Sequence, residues 1–437
     1  MGNRNLFVAI MLGFVLCSIG CGLATSLPML IVLRLLQGLV LGPVEGLTAV
    51  ILVQAFPPQQ RGLAVGIRTI GWSIGHIVSF VLGGYFLENL SWRLIFFMGV
   101  PTGILSAILG LLILPQQRDV QGGSVDYPGL LILGGFLVPL LLAISWARDS
   151  ATEMSTLVLL SLGATLGGGL FVLWELWTSF PAVNLRLYRL PAFRYVCTTA
   201  MCNNIGLFGA QFMIPIFLQQ VMGFTPLQAG LIIVPALVIS SMSGVVTGRL
   251  SDYISPAIIA IVALAALTGV FYLFSTVSAL TTTGVLVSYI ILYRICMFSI
   301  VTLMTTLNVQ ILPMDQVRMG QGLLGVVRNI GGSLGVTITS VLFEHQRVRH
   351  ELSAYHSYDA ASLAHFTTLN NVKSYLHAAG MTGAAADTAA LRAIRQQMEV
   401  EAIAAAFRDS FLMISIAFVL ASMPLAWIIL RRLYTRA

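Results

Sequence analysis

Twelve apolar runs, each long enough to cross a bilayer, set the terms for anything this chain folds into. They lie at 6–24, 28–54, 62–87, 92–114, 129–147, 155–177, 194–219, 226–249, 254–275, 284–309, 319–343 and 410–431. A membrane-crossing helix needs about 20 apolar residues. Few charges interrupt the runs: 57% of the 437 residues are hydrophobic and 9% are charged, against about 25% charged in a soluble domain. No segment alternates with the period of two that a barrel strand needs. Backbone polar groups in lipid must then be satisfied within helices, so the fold class expected is all-α, a polytopic membrane protein with about 12 transmembrane helices.

Cysteines and targeting signals add little. Cys17, Cys21, Cys197, Cys202 and Cys296 all fall inside the runs and read as small packing residues. Cys17 and Cys21 share a helical face, but two thiols without further ligands make a poor metal site. Neither a metal nor a cofactor is expected. The N-terminus lacks the small-residue cleavage site of a secretory peptide, so the first run reads as a true span.

Orientation follows from the arginines, which dominate a formal net charge of +7. In a soluble chain such a balance would suggest nucleic acid. Here Arg4, Arg61, Arg118, Arg186, Arg189, Arg194, Arg249, Arg318, Arg431, Arg432 and Arg436 fall in alternate short loops and tails on one side. That side reads as cytoplasmic. The long stretch 344–409, mixed in sign, falls on the other side, and its "AAADTAALRAIRQQMEVEAIAAAF" favours short helices there.

The chain also repeats itself. "RTIGWSIG", Arg68 to Gly75, matches "RNIGGSLG", Arg328 to Gly335, at an offset of 328 − 68 = 260, and Arg34 pairs with Arg294 at the same offset. A helix pair repeated in parallel order suggests two related bundles, with a substrate site at their interface, as in secondary transporters. Gly-rich helices resemble one another by chance, but chance does not readily place two intramembrane arginines at one register. Four such arginines facing lipid would cost on the order of 10 kcal/mol. They are therefore expected to face protein or water, although Arg68 is close enough to its loop to snorkel.

Glu45, eleven residues after Arg34, is the one carboxylate well inside an expected span. It is expected to pair with Arg68 or to share a water-filled cavity with it, where burial and a neighbouring cation oppose each other in setting its proton affinity. His76, two turns beyond Arg68 with Trp72 between, is either a hydrogen-bonded structural histidine or a proton carrier. Glu45, Arg34, Arg68 and His76 are the proton-coupling candidates. The absence of a "GxxxxGK[ST]" stretch points away from ATP as the energy source.

At these residues a family resemblance emerges. "LIVLRLLQG" resembles the fourth-helix R-x-x-Q-G signature of the major facilitator superfamily, and "GGYFLENLSWRLIFFMGVPTG" resembles the fifth-to-sixth-helix region of its fourteen-helix drug:proton antiporters of the EmrB/QacA type. "WELWTSFPAVNLRLYRLPAFR", "PIFLQQVMGFTPLQAGLIIVP" and "GRLSDY" are similar to that family's passage into its second bundle and the loop beyond. The resemblance implies an incomplete N-terminal bundle at 1–114, an inserted helix pair at 115–178 and a six-helix C-terminal bundle at 179–437 containing the long loop 344–409. "MGNRN" looks like the tail of the loop between the family's second and third helices. Helices one and two, with the first-helix aspartate, are thus expected to be missing, through a misplaced start or a real truncation. The family's Gly-Pro before Gly83 and Gly84 is replaced by Ser79-Phe80.

By this resemblance the chain is a secondary active transporter exporting lipophilic drugs or toxic small molecules on the proton gradient. It would sit in the bacterial inner membrane with both termini cytoplasmic, its partners being the bilayer, protons, the substrate and a periplasmic adaptor protein. Cavity candidates are Gln37 and Trp72 in the first half; Met201, Asn204, Phe208, Gln211 and Phe212 on the helix opening the second bundle; and Arg294, Met297, Thr302, Arg328 and Asn329 on the repeated pair. Gating candidates are Gly83, Gly84, Gly248, Arg249 and Asp252. More buried arginines than carboxylates suit anionic or neutral lipophiles better than dications. The rival readings are a non-transporting truncated membrane protein and, with Glu45 and His76 as an acid/base pair, a membrane-embedded enzyme, which the lack of a nucleophile motif disfavours.

Overall fold

The computed structural model describes residues 3–44, 47–48, 51, 61–116, 126–146, 153–178, 185–278, 281–312, 316–357, 370, 373–374 and 384–434. Among them there is helix and no strand. The helices are α1 (Asn3–Gly22), α2 (Leu27–Leu41), α3 (Arg61–Asn89), α4 (Leu94–Phe97), α5 (Gly99–Ile113), α6 (Tyr127–Trp146), α7 (Met154–Trp177), α8 (Pro191–Gln220), α9 (Pro226–Tyr253), α10 (Pro256–Phe274), α11 (Thr283–Ile311), α12 (Val317–Ser357) and α13 (Ala384–Tyr434), with a 3-10 turn at Leu185–Arg189. Ten spans among the described residues are long and apolar enough to cross a membrane, and α2 is a shorter apolar helix. Each of the twelve expected runs holds a helix.

Local chemistry explains the boundaries. Ser26 caps α2, its hydroxyl accepting from the Met29 amide at 3.4 Å with Pro28 in the first turn. The Gly42-Pro43 pair then interrupts α2 after Leu41, because proline lacks an amide proton and disfavours helix before it. The expected span 28–54 is thus a 15-residue helix in its first half. A capping box opens α9: the Thr225 amide donates to Gln228 Oε1 at 3.0 Å, and the Gln228 amide donates to Thr225 Oγ1 at 3.3 Å. The run 92–114 divides formally at Met98, whose helical φ of −59° lets α4 and α5 continue as one rod.

The stretch 344–409 differs from expectation. Instead of a loop carrying separate short helices, its flanks continue α12 to Ser357 and begin α13 at Ala384. Neither Gly nor Pro interrupts residues 336–357 or 384–409, and Arg347 bridges Glu344 at 3.5 Å and Glu351 at 3.1 Å along one face. At 1.5 Å per residue the 41 residues of α12 reach about 60 Å, beyond a bilayer of about 45 Å.

The chain forms two compact units. The first comprises residues 1–126 and 224–250, the second residues 127–223 and 251–437. In the first, α1 packs on α2 and on α5. Small residues every three or four positions, Gly99, Gly103, Ala107 and Gly110, make the α5 seam. A Cβ on Gly103 would lie 2.6 Å from Val15 Cγ2, and one on Gly110 would lie 2.8 Å from Phe7 Cδ1. Lipid supplies no hydrophobic force between helices, so close van der Waals approach at small residues holds such a pair.

In the second unit α8 lies against α11, α12 and α13, α10 against α11 and α13, and α6 against α7 and α12. Its core is aromatic. Phe217 meets Phe407 at 5.4 Å and Phe411 at 5.8 Å, Phe274 meets Phe411 at 5.2 Å, and Phe271 meets Phe418 at 5.4 Å and Tyr293 at 5.3 Å between centroids. Edge-to-face and tilted pairs at this spacing each contribute about 0.5–1.5 kcal/mol beyond burial.

Candidate functional site

The charged interior of the second unit is built by α11 and α12. At 100° per residue, Arg294, Val301, Thr305 and Asn308 fall within an arc of about 60° and form one stripe along α11. Arg294 is 3% exposed. Its Nη1 approaches Met297 Sδ at 3.9 Å, and its guanidinium carbon stands 5.5 Å from the Tyr293 ring centroid. Its Nε is buried with no hydrogen-bond partner among the described residues. Tyr293 donates across to the Leu207 carbonyl at 3.3 Å, which fixes α11 against α8 at this depth.

Arg328 reaches the same stripe from α12. Its Nη2 donates to the Val301 carbonyl at 3.3 Å and to Thr305 Oγ1 at 3.0 Å. Thr305 passes its own proton to Val301 at 2.9 Å, so one hydroxyl links the guanidinium to the helix backbone. Gln321 adds a bond from Nε2 to the Thr305 carbonyl at 3.2 Å. Further along, Asn308 is 0% exposed, and neither side-chain polar atom has a partner among the described residues. No ion pair among the described residues joins Arg294 to a carboxylate.

In the first unit the equivalent arginine lives differently. Arg34 is exposed on α2. Its Nη1 donates to Gln37 Oε1 at 3.1 Å, Gln37 Nε2 donates to Ser18 Oγ at 2.8 Å, and the guanidinium lies 4.5 Å over the Phe96 ring. Gln37 is 6% exposed and clamps α2 to α1. Of the four arginines expected to face protein or water, Arg34 is the exposed one, with one amide and one ring among its contacts in its unit.

Glycine seams bring backbones together beside these charges. On α12, a Cβ at Gly331 would stand 2.7 Å from the Met201 carbonyl oxygen, and one at Gly335 would stand 2.8 Å from Ile205 Cα and collide with its carbonyl oxygen. On α3, a Cβ at Gly84 would lie 2.7 Å from Leu227 Cα, while one at Gly230 of α9 would lie 2.7 Å from the Phe80 carbonyl oxygen. Gly83 and Gly248 have nothing among the described residues within 4 Å of that position.

The remaining expected residues scatter. Asn204 is buried and donates to its own helix at Ala200 O, 2.7 Å away. Thr302 donates to Phe298 O at 3.1 Å. Met297 is buried, Met201, Gln211 and Phe212 are half-buried, and Phe208, Asn329 and Arg249 are exposed. His76 is half-buried on α3 and engaged in a contact. Glu45 lies outside the described residues, as do the side chains of Arg68, Trp72 and Asp252, so the expected Glu45–Arg68 pair falls outside them too. Thr305, Gln321 and Asn308 were not anticipated. Following the Arg294 register along α11 would have found Thr305 and Asn308. An apolar crevice of about 380 Å³ between α6 and α7, lined by Phe136, Leu140, Ile144 and Thr165, carries no charge and is separate from this stripe.

Comparison with known proteins adds a family and relatives. The profile of the Major Facilitator Superfamily matches residues 1–336. A Multidrug resistance protein B homolog of Mycobacterium tuberculosis (strain CDC 1551 / Oshkosh) is 27% identical over 81% of this chain, which spans 66% of that relative's length. The Probable multidrug resistance protein EmrY of Escherichia coli (strain K12) is 25% identical over 98% of this chain and 82% of its own. Among solved structures, an inward-facing, unoccupied bacterial homologue of the human lysosomal transporter Spinster superimposes with a TM-score of 0.57 over 97% of this chain and 82% of its own, at 15% identity, a likeness of fold alone.

Proposed function

Because this chain belongs to the Major Facilitator Superfamily, we propose that it is a secondary active exporter of lipophilic small molecules, driven by the proton gradient across a bacterial inner membrane with both termini in the cytoplasm. The observation that carries this reading is the occupied stripe on α11, where two arginines from adjacent helices share one face inside membrane-spanning segments. A charge held there is costly and marks a pathway or a binding site. The relatives named as multidrug resistance proteins support the same class of cargo, and no ATP-binding motif competes as a source of energy.

In this reading the bundles are the N-terminal set 1–114 and the C-terminal set 179–437, with 115–178 as an inserted pair. Glu45 and His76 exchange protons near Arg34 and Arg68. Gln37 positions Arg34 by fixing its guanidinium through Ser18. Gly83, Gly84, Gly248, Arg249 and Asp252 form the gates, and Met201, Gln211, Phe212 and Met297 contribute apolar lining. The test is drug-driven proton movement in reconstituted vesicles carrying a pH-sensitive dye. Glu45→Gln should abolish the dye response while folded protein is recovered in full. Coupling that survives the substitution removes Glu45 from the mechanism, and wild-type vesicles that move neither drug nor protons reject the exporter reading.

A further inference from the structure

The geometry points to a binding site for the carboxylate of a lipophilic weak acid on the α11 stripe, with Arg294 as its principal contact. The inference rests on the exporter reading for its purpose, but not for its chemistry. Arg294 is 3% exposed, and the contacts on its guanidinium are a thioether and an aromatic face. Neither is a charged acceptor. A permanently charged group held out of water needs an acceptor of opposite sign, and none is supplied by the described residues.

A second observation lies on the same face. Asn308 is fully buried with both amide atoms unengaged among the described residues. Between it and Arg294, Arg328 brings a second positive charge to Thr305. The guanidinium of Arg294 and the Arg328 docking point are separated by seven to eleven residues, about 10–16 Å along α11. Neighbouring hydroxyls do not compete for an anion: Ser299, Thr302 and Thr306 give their protons to Ile295, Phe298 and Thr302 carbonyls. The donor left for the carboxylate is therefore the planar Arg294 guanidinium, whose fork fits it with two parallel bonds; the Asn308 carboxamide lies 14 residues on, about 21 Å along α11. Met297 and Tyr293 beside Arg294 supply apolar and aromatic surface for the body of the molecule. A cationic cargo would meet the like charge of Arg294 on this face.

Three probes with one ring system separate the possibilities: 2-naphthoate, 2-naphthamide and 2-naphthylmethylammonium. Equilibrium binding is measured on the purified full chain in lipid nanodiscs, without a proton gradient. Wild type should favour naphthoate over naphthamide by about tenfold or more, the range of a charge-assisted hydrogen bond, and bind the ammonium most weakly. Arg294→Gln should erase the preference. Met297→Glu places a carboxylate where the Met297 sulfur now meets Nη1, keeps the guanidinium, and should erase the preference equally. Equal affinity of wild type for naphthoate and naphthamide, binding of none of the three, or a preference that survives either substitution overturns the inference. Charge preference without gradient-driven movement would sink the exporter reading alone. Gradient-driven movement of the amide or ammonium without charge preference would sink this inference alone.

Discussion

Gly335→Ala and Gly75→Ala occupy one register of the repeat, since 335 − 75 = 260, and should move stability in opposite directions. A methyl at Gly335 meets backbone: it would sit 2.8 Å from Ile205 Cα and 2.9 Å from its carbonyl carbon. Carbon atoms in contact want about 3.5–4.0 Å, so α12 and α8 must part by roughly 0.7–1 Å. Such overpacking costs about 1–3 kcal/mol, and alanine's advantage over glycine in a helix returns about 0.5–1 kcal/mol. The net loss is about 0–2.5 kcal/mol, centred a little above about 1 kcal/mol. At Gly75 nothing among the described residues lies within 4 Å, so only the helical gain of about 0.5–1 kcal/mol remains. Apparent unfolding in detergent, followed by tryptophan fluorescence, should place Gly335→Ala a few degrees below wild type and Gly75→Ala at or above it. Equal losses at the two positions, or a Gly335→Ala protein as stable as wild type, would refute the backbone seam as the cause.

Gly84→Ala meets the backbone of Leu227 at 2.7 Å and should lower the unfolding temperature in the same assay. A neutral result would mean α3 and α9 part freely there. Phe411→Ala removes a fully buried ring that touches Phe217, Phe271, Phe274 and Phe407. Its cost should be about 3–5 kcal/mol, read as a loss of folded protein by size-exclusion chromatography, and a change under about 1 kcal/mol would deny that ring a central role. Tyr188, in the turn before α8, has its phenol pushed well above its ordinary value of 10.0, chiefly by burial and further by the Cys197 thiol it bonds. The unfolded chain therefore releases this proton first, so stability should fall as pH rises above about 10. Tyr188→Phe should flatten that fall, and an unchanged alkaline limb would show that other groups set it.

Hydrophobic run length located each membrane helix because the bilayer leaves an apolar segment no alternative way to satisfy its backbone. The ends were harder to read. The expected loop at 344–409 is largely an extension of two spanning helices, because polar residues that leave the bilayer can remain helical when no Gly or Pro stops them and i,i+4 pairs such as Arg347–Glu351 support them. At the candidate site, the repeated arginines were legible because charge inside an apolar run is conspicuous. Thr305 was not, since a threonine in a membrane helix usually bonds its own backbone. Thr305 does so as well and then accepts from Arg328. Asn203 and Asn204 show the same difficulty: adjacent amides in one sequence run, one engaged with Ala200 and the other buried with Oδ1 unpartnered among the described residues.

The repeat explains why charge has different consequences in its two copies. Arg34 and Arg294 share a register, yet the first is exposed and held by Gln37 while the second is 3% exposed beside Met297. The difference traces to what backs the following helix. Gly331 and Gly335 of α12 press on the α8 backbone at Met201 and Ile205, whereas Gly71 and Gly75 of α3 have nothing within 4 Å among the described residues. The α8 seam and the Tyr293 bond to Leu207 exclude space around Arg294, lowering the local dielectric and strengthening any interaction its guanidinium makes. Arg34, exposed on α2, interacts more weakly with an anion, and in the proposed mechanism its fixed charge acts on the proton affinity of its protonatable neighbours. Discrimination between cargoes by charge should therefore reside in the second unit, and substitutions at Arg34 should alter coupling to protons before they alter which probe is bound.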